Sequence, residues 1–502
     1  NRKHGRAEVD YFHPDLEPVL RSTYGVIVYQ EQVMLISQII GGYSLGGADL
    51  LRRAMGKKKA EEMAKHREIF EAGAVKKGYD AALAVKLFDL MEKFAGYGFN
   101  KSHSAAYALI SYQTAWLKAY HPAEFMAATM LSDMDDTDKV QIFWRDAVAN
   151  KVRVLPPDVN DSVYRFEPVW DEATEQGKPP RTIRYGLGAI KGAGQAAIEA
   201  IVQAREAGGP FASLFDFCAR VDRHAVNRRS IEALIRAGAF DMLEANRAAL
   251  LATVSSAIEA AEQAERNANQ VSLFDDDADQ IVAGELARVV PWDLQACLTE
   301  EKAALGFCFS GHLFDAWRDE VRRVAPTPLV RLGPSRSPQW IAGVLASVRP
   351  RMTRRGRMLY ALLDDGTAQL EVAIFNELYE QYRQSLKEDR LLVIHGKVSH
   401  DDYSGGLRVS ADDLYDLQRI RESRARCLAL DLGGQADLKA LQTLLAPWRA
   451  DGDTGVAVEI GLQRPGFSCS LRLGESWHVR MDDDMLVKAK QWVGPDKVEV
   501  VY

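Results

Sequence analysis

The spacing of apolar residues changes character near residue 335 of this 502-residue chain, and that change most restricts what it can fold into. Before about residue 335 the apolar positions recur at helical spacing. In Gln30–Ile40, for example, Val33, Leu35, Ile36, Ile39 and Ile40 mark one side before Gly41-Gly42 ends the pattern. Leu83–Phe94 and Tyr107–Lys118 read as two further amphipathic helices. Later the runs become short and β-like: Ile341–Val348, Met358–Leu363, Ala368–Phe375, Leu391–Val398 and Leu407–Asp412. Turns such as Asp364-Asp365-Gly366 and Ser404-Gly405-Gly406 separate them. Five short strands, with one helix over Tyr379–Leu386 after the third, predict an OB-type β-barrel. Residues 421–502 alternate helix-like and strand-like runs and predict a small α+β domain. The expected molecule is therefore multidomain: mainly α-helical at first, then a barrel, then α+β.

Composition excludes several classes. Hydrophobic residues make up 47% and charged residues 26%, ordinary values for a globular chain. No apolar run reaches the roughly 18 residues of a membrane span. The start, Asn1-Arg2-Lys3-His4-Gly5, lacks the apolar core of a signal peptide, and the absence of an initiator Met suggests a fragment or a processed chain. Cys218, Cys297, Cys308, Cys427 and Cys469 are scattered with no CxxC pair, so neither structural zinc nor a disulfide framework is expected, in keeping with a reducing cytoplasm. The formal net charge is -7, so any grip on nucleic acid must come from local basic patches.

Four segments could carry chemistry. The run Leu50–Lys59 places Arg52, Arg53, Lys57, Lys58 and Lys59 around Gly56. Such crowded cations repel unless they share an anion, and a triphosphate or a DNA backbone fits; a solvated helix end is the plain alternative. The loop Gly96–Ser104 presents Asn100, Lys101, Ser102 and His103 on an adaptable backbone at the start of a helix. It suits an anion, or simply an N-cap made by Ser102 or Ser104. Ile190-Lys191-Gly192-Ala193-Gly194 has the form of a helix-hairpin-helix turn, with Lys191 where a phosphate ligand is wanted and Gly192 and Gly194 permitting close approach. A second, less regular unit runs from Val226-Asn227-Arg228-Arg229-Ser230 to Gly238-Ala239-Phe240. Gln270-Val271-Ser272-Leu273-Phe274 precedes three aspartates, a poor setting for a core strand. It reads as an exposed peptide in which Leu273 and Phe274 fill a partner's apolar pockets while Gln270 and Ser272 flank them. On the barrel, Arg349, Arg351, Arg354, Arg355 and Arg357 cluster on the first hairpin, and Tyr360 and Tyr403 could stack on bases.

Three long runs, Tyr24–Met34, Leu45–Lys59 and Phe94–Tyr107, resemble the C-family replicative DNA polymerases, the alpha subunits of bacterial DNA polymerase III. The resemblance continues in order through the hairpins, the short peptide and the barrel. It implies a partial fingers domain over residues 1–170 and a tandem helix-hairpin-helix region over 171–250. A sliding-clamp peptide and linker would follow over 251–335, an OB domain over 336–420, and a domain docking the clamp-loader tau subunit over 421–502. It further implies that Arg52, Arg53, Asn100, Lys101, Ser102 and His103 meet the incoming dNTP, that Lys191, Gly192 and Gly194 hold primer-template DNA, and that Gln270, Ser272, Leu273 and Phe274 bind the clamp. The family's Mg2+ ions are held by palm aspartates, and no Asp-x-Asp pair in a strand-like setting precedes Tyr24. No catalytic or metal-binding residue is therefore expected in this chain, which should be inactive by itself; a proofreading exonuclease would bind outside it. The error-prone C-family paralogue and a non-catalytic DNA-binding scaffold are the competing readings.

Overall fold

The computed structural model describes residues 1–57, 60–94, 99–170, 179–269, 284–353, 356–384, 386–400, 405–433, 437–450, 455–464 and 466–502. The chain divides into two compact units, Asn1–Met126 with Thr174–Pro180, and Ala127–Ala173 with Arg181–Tyr502. Among the described residues no helix is long and apolar enough to cross a membrane.

The first unit is helical: α1 (Glu17–Leu20), α2 (Gln30–Ile39), α3 (Leu45–Lys57), α4 (Ala60–Lys76), α5 (Ala81–Phe94) and α6 (Lys101–Tyr120). Leu20, Ile36, Leu51, Phe70, Leu87, Phe88 and Met91 form its core, each removed from water at roughly 1.5–3 kcal/mol. Gly73 is required on α4, because a Cβ there would lie 2.0 Å from the Gly41 carbonyl oxygen; α4 thus crosses closely over the turn that ends α2. The helix expected over Tyr107–Lys118 exists within α6, but none of its residues is buried. Helical spacing says that a segment coils; it does not say what covers it. Helix α7 (Pro122–Ser132) carries the chain into the second unit.

That unit begins with α8 (Thr137–Ala149) and a three-stranded sheet, β1 (Arg153–Leu155), β2 (Glu167–Val169) and β3 (Thr182–Arg184), in the order β1-β3-β2. Strands of three residues are too short to show a period, and the sequence reading had no place for this sheet. Helices α9 (Gln195–Gly208), α10 (Leu214–Arg220), α11 (Arg228–Arg236) and α12 (Arg247–Asn269) follow, then α13 (Leu294–Leu305) and α14 (Arg318–Val321).

The five expected barrel strands are β4 (Gln339–Thr353), β5 (Gly356–Asp364), β6 (Gln369–Phe375), β7 (Leu391–His400) and β8 (Leu407–Tyr415), closed in the order β4-β5-β6-β8-β7. The parallel pair β6–β8, with Val372 opposite Val409, closes one side. Strand β4 outruns its expected end at Val348 because it serves two neighbours: residues 339–344 pair with β7, and residues from Val344 onward pair with β5 across a bulge at Leu345/Ser347. The barrel helix α15 spans Asn376–Tyr382, three residues earlier than expected at its start, because Leu378, Tyr379 and Tyr382 pack against the barrel core. The last segment comprises α16 (Leu417–Arg424), β9 (Cys427–Asp431), α17 (Leu438–Leu445), β10 (Ala457–Arg464), β11 (Phe467–Arg472), α18 (Asp483–Val493) and β12 (Val498–Val501). Its sheet runs β11-β10-β9-β12, so the α+β expectation holds.

Helix α13 ties these parts together. Three successive side chains reach three elements: Glu300 meets Arg236 of α11 at 2.8 Å, Glu301 meets Arg247 of α12 at 3.4 Å, and Lys302 meets Asp389 of the barrel at 2.6 Å. Glu301 is buried and also accepts from the Phe309 and Ser310 amides at 2.6 and 2.8 Å, so the buried carboxylate is fully partnered.

Candidate nucleotide and nucleic-acid interface

Two cation-bearing motifs of the first unit meet at the start of α2. The Gln30 amide donates to the Phe99 carbonyl at 3.0 Å, which lays the segment before α6 beside α2. Adjacent side chains then reach in two directions. Gln30 Oε1 accepts from Arg52 Nη1 at 3.4 Å, and the Glu31 carboxylate accepts from the Lys101 amide at 3.0 Å. Sequence reasoning assigned no role to Gln30 or Glu31; their only signal was membership of the run Tyr24–Met34.

The arginines are not free. Asp49, one turn earlier on α3, accepts from Arg52 Nε at 2.9 Å and from Arg53 Nε at 2.8 Å, using one oxygen for each. The hydrogen bond from Arg52 leads in holding the Asp49 carboxyl below its usual range. Helical geometry sets Arg52 and Arg53 about 100° apart, and the shared carboxylate draws them back together. The Arg53 side chain is 64% exposed. On the other motif Asn100 is the N-cap, its Oδ1 accepting from the His103 amide at 2.8 Å, so neither Ser102 nor Ser104 plays that part. The Lys101 and His103 amides are thus already satisfied, by Glu31 and Asn100. Ser102 is exposed, and His103 stacks on Tyr107 with centroids 4.3 Å apart. Lys58 and Lys59, Gly96 and Gly98, and the side chain of Lys57 lie outside the described residues.

The hairpin Ile190–Gly194 is formed as the glycines suggest. Gly192 adopts φ +89°, a left-handed conformation that disfavours a side chain, and Gly194 is the N-cap of α9. Lys191 is exposed while its amide donates to the Ala304 carbonyl at 2.9 Å. The second unit is a hairpin too. Asn227 caps α11, accepting from the Ser230 amide at 3.0 Å, and the Ser230 hydroxyl donates to the Gly192 carbonyl at 3.2 Å. The two turns therefore touch, and Arg229, the neighbour of Ser230 at the start of α11, is exposed.

On the barrel the register aligns Arg349 of β4 with Tyr360 of β5, Ala373 of β6, Ser410 of β8 and Lys397 of β7. The next row, Val348-Ala361-Val372-Val409-Val398, faces the core, so this row points away from it, with an exposed cation at each end and Ala373 buried at its centre. Arg351 lies 6.0 Å from the Tyr360 ring. Lys397 was not in the sequence reading, because only strand register places it with Arg349. Arg354, Arg355, Tyr403 and the side chain of Arg357 lie outside the described residues, as do Gln270, Ser272, Leu273 and Phe274. Among the described residues no group of three or more His, Cys, Asp or Glu side chains is placed to hold a metal ion. The family resemblance assigns Mg2+ to palm aspartates and to none of these residues.

Comparison with known proteins decides what this arrangement belongs to. Residues 1–78 match the bacterial DNA polymerase III alpha subunit finger domain, residues 151–250 a helix-hairpin-helix motif, and residues 339–417 an OB-fold nucleic acid binding domain. The chain is 48% identical over 495 residues to the DNA polymerase III subunit alpha of Neisseria meningitidis serogroup B, covering 98% of this chain and 42% of that protein. It is 43% identical over 517 residues to the Escherichia coli K12 subunit, covering 100% of this chain and 44% of that one. The chain belongs to the bacterial DNA polymerase III alpha-subunit family. It spans less than half the length of these polymerase III alpha relatives. Among solved structures, the second OB-fold domain of replication protein A from Methanococcus maripaludis matches 18% of this chain at 21% identity and a TM-score of 0.16.

Proposed function

We propose that the protein is a replicative, template-directed DNA polymerase and that this chain supplies its grip on incoming dNTP, primer-template DNA and the sliding clamp. The observation that carries the reading is the junction at α2, where Gln30 and Glu31 fasten the Arg52/Arg53 pair and the Lys101 segment to neighbouring positions. A triphosphate is the ligand whose charge density suits such a cluster. Arginine supplies bidentate, charge-assisted bonds about twice as strong as neutral ones, and from the second motif Lys101 adds charge and His103 a ring nitrogen. Charge builds on pyrophosphate as it leaves, so these cations stabilise the transition state as well as the bound nucleotide. The chemistry itself, with its Mg2+, is placed outside these residues, and this chain by itself is expected to be inactive.

In this reading residues 1–170 are fingers, and Lys191, Gly192 and Gly194 with the second hairpin hold the duplex through its phosphates. The barrel row from Arg349 to Lys397 follows single-stranded template. Gln270, Ser272, Leu273 and Phe274 engage the clamp, and residues 421–502 dock the clamp-loader tau subunit. The proofreading exonuclease binds elsewhere on the polymerase, and the cell compartment is the cytoplasm. The error-prone paralogue lacks support from the strand-and-helix domain that follows the barrel here.

The test is steady-state kinetics on the full-length polymerase with Arg53→Ala. The expected result is a fall in kcat/KM for dNTP with primer-template affinity unchanged. Weaker primer-template binding at unchanged KM would instead assign the arginine to DNA, and no change at all would make it a solvated helix end.

A further inference from the structure

The closing sheet, β11-β10-β9-β12, has two outer edges, and they are treated differently. Beyond β12, Arg323 donates to the Val500 carbonyl at 2.9 Å and the Tyr502 hydroxyl donates to Glu320 at 2.6 Å, so the segment around α14 occupies that side. Strand β11 pairs with β10 through six consecutive antiparallel pairs, from Glu459↔Arg472 to Arg464↔Phe467, without a register shift. No described residue pairs with its other edge.

Along β11 the residues Phe467, Cys469 and Leu471 share one face with Leu462 and Ile460 of β10. Ile460 is 2% exposed in the core built with α17 and α18, whereas Phe467 is 59% and Leu471 50% exposed. The apolar face thus continues past the helices that cover its middle. Natural sheet edges are blunted by lysine, proline, bulges or shortness, and β11 contains no Lys, no Pro and no bulge over its six residues. A row of unpaired backbone donors and acceptors beside alternating apolar side chains is satisfied by an added strand, which supplies both the ladder and the side chains. Arg472, exposed at the end of the strand, selects a carboxylate there.

We infer that β11 is a strand-addition site: it takes an extended segment of a partner polypeptide, apolar at alternate positions and acidic near Arg472. This rests on the reading that the last domain docks the clamp-loader tau subunit, and it specifies how. The added strand extends the sheet to five strands and covers Phe467 and Leu471.

The experiment titrates the full chain with purified tau subunit and follows amide hydrogen exchange and calorimetric affinity. The expected result is slowed exchange along β11 in the complex. Phe467→Glu with Leu471→Glu weakens binding more than tenfold, Arg472→Glu weakens it severalfold, and Leu438→Glu on the exposed start of α17 leaves it unchanged, all with unchanged melting. If the tau subunit binds the native chain but β11 exchange and the variants' affinities do not move, strand addition is wrong and docking survives. Should tau fail to bind the native chain, the docking reading falls and this inference with it. A concentration-dependent dimer abolished by the same variants would reassign the edge to a second copy of this chain and overturn the proposal.

Discussion

The Lys191 amide donates to the Ala304 carbonyl at 2.9 Å, so the first hairpin hangs on the last turn of α13. That helix also carries Lys302, 2.6 Å from Asp389 of the barrel. Two segments proposed to touch DNA are therefore fastened to one rigid rod. The backbone bond leaves the Lys191 side chain free for a phosphate while fixing where it starts.

From this, Lys191→Ala is expected to weaken duplex binding equally for all sequences and to lower the slope of log K against log salt by about 0.9. Melting should not change, because the bond to Ala304 is made by the main chain. Filter binding or anisotropy at several salt concentrations checks it, and a sequence-selective loss would contradict a phosphate contact.

Glu301 is the buried member of the α13 trio. Glu301→Ala leaves the Phe309 and Ser310 amides without their acceptor, while Arg247 keeps Asp241 at 2.6 Å. Each amide donor stranded in this way costs roughly 1–3 kcal/mol, and the thermal unfolding of the chain should fall accordingly. Glu300→Ala, which removes a partly exposed pair with Arg236, should cost less than about 1 kcal/mol.

Asp364 gives a pH dependence. Burial raises its carboxyl, but bonds from His312, Gln369 and the Gly366 amide outweigh that and bring it to about 2, from 3.8. A carboxylate lowered on folding stabilises above its unfolded value, and the contribution disappears as pH falls from about 4 through about 2. Asp364→Asn should therefore lose about 2 kcal/mol at pH 7, and the gap from the native chain should close near pH 2. Urea unfolding at pH 7, 4 and 2.5 measures it; a constant difference across that range would refute the assignment.

The clamp reading makes its own demand. Leu273→Ala with Phe274→Ala should reduce affinity for the sliding clamp by at least about 2 kcal/mol, since such anchors dominate short-peptide interfaces. Melting should be unchanged. Full clamp affinity in the double variant, or loss of folding, would mean the segment is core.

Much of this protein is determined by sequence alone. The barrel was readable because alternating apolar runs between Gly-rich turns permit little else: Val372, Ile394 and Val409 face inward as the period of two requires. The first hairpin was readable because Gly192 and Gly194 leave few other conformations, and φ at Gly192 is +89°. The α2, α5 and α6 helices were readable from their spacing.

Tertiary structure decided the partners. Asp49 gathers Arg52 and Arg53, and Glu31 occupies the Lys101 amide across 70 positions of chain, a meeting that helical periodicity does not encode. Lys397 joins Arg349 only through the order in which the barrel closes. The sheet β1-β3-β2 escaped notice because three-residue strands have no measurable period. Local pattern reports which backbone conformation a segment prefers, from contacts within a turn or two. Which charge meets which is settled by packing between distant elements, and here it was α13 and the start of α2 that settled it.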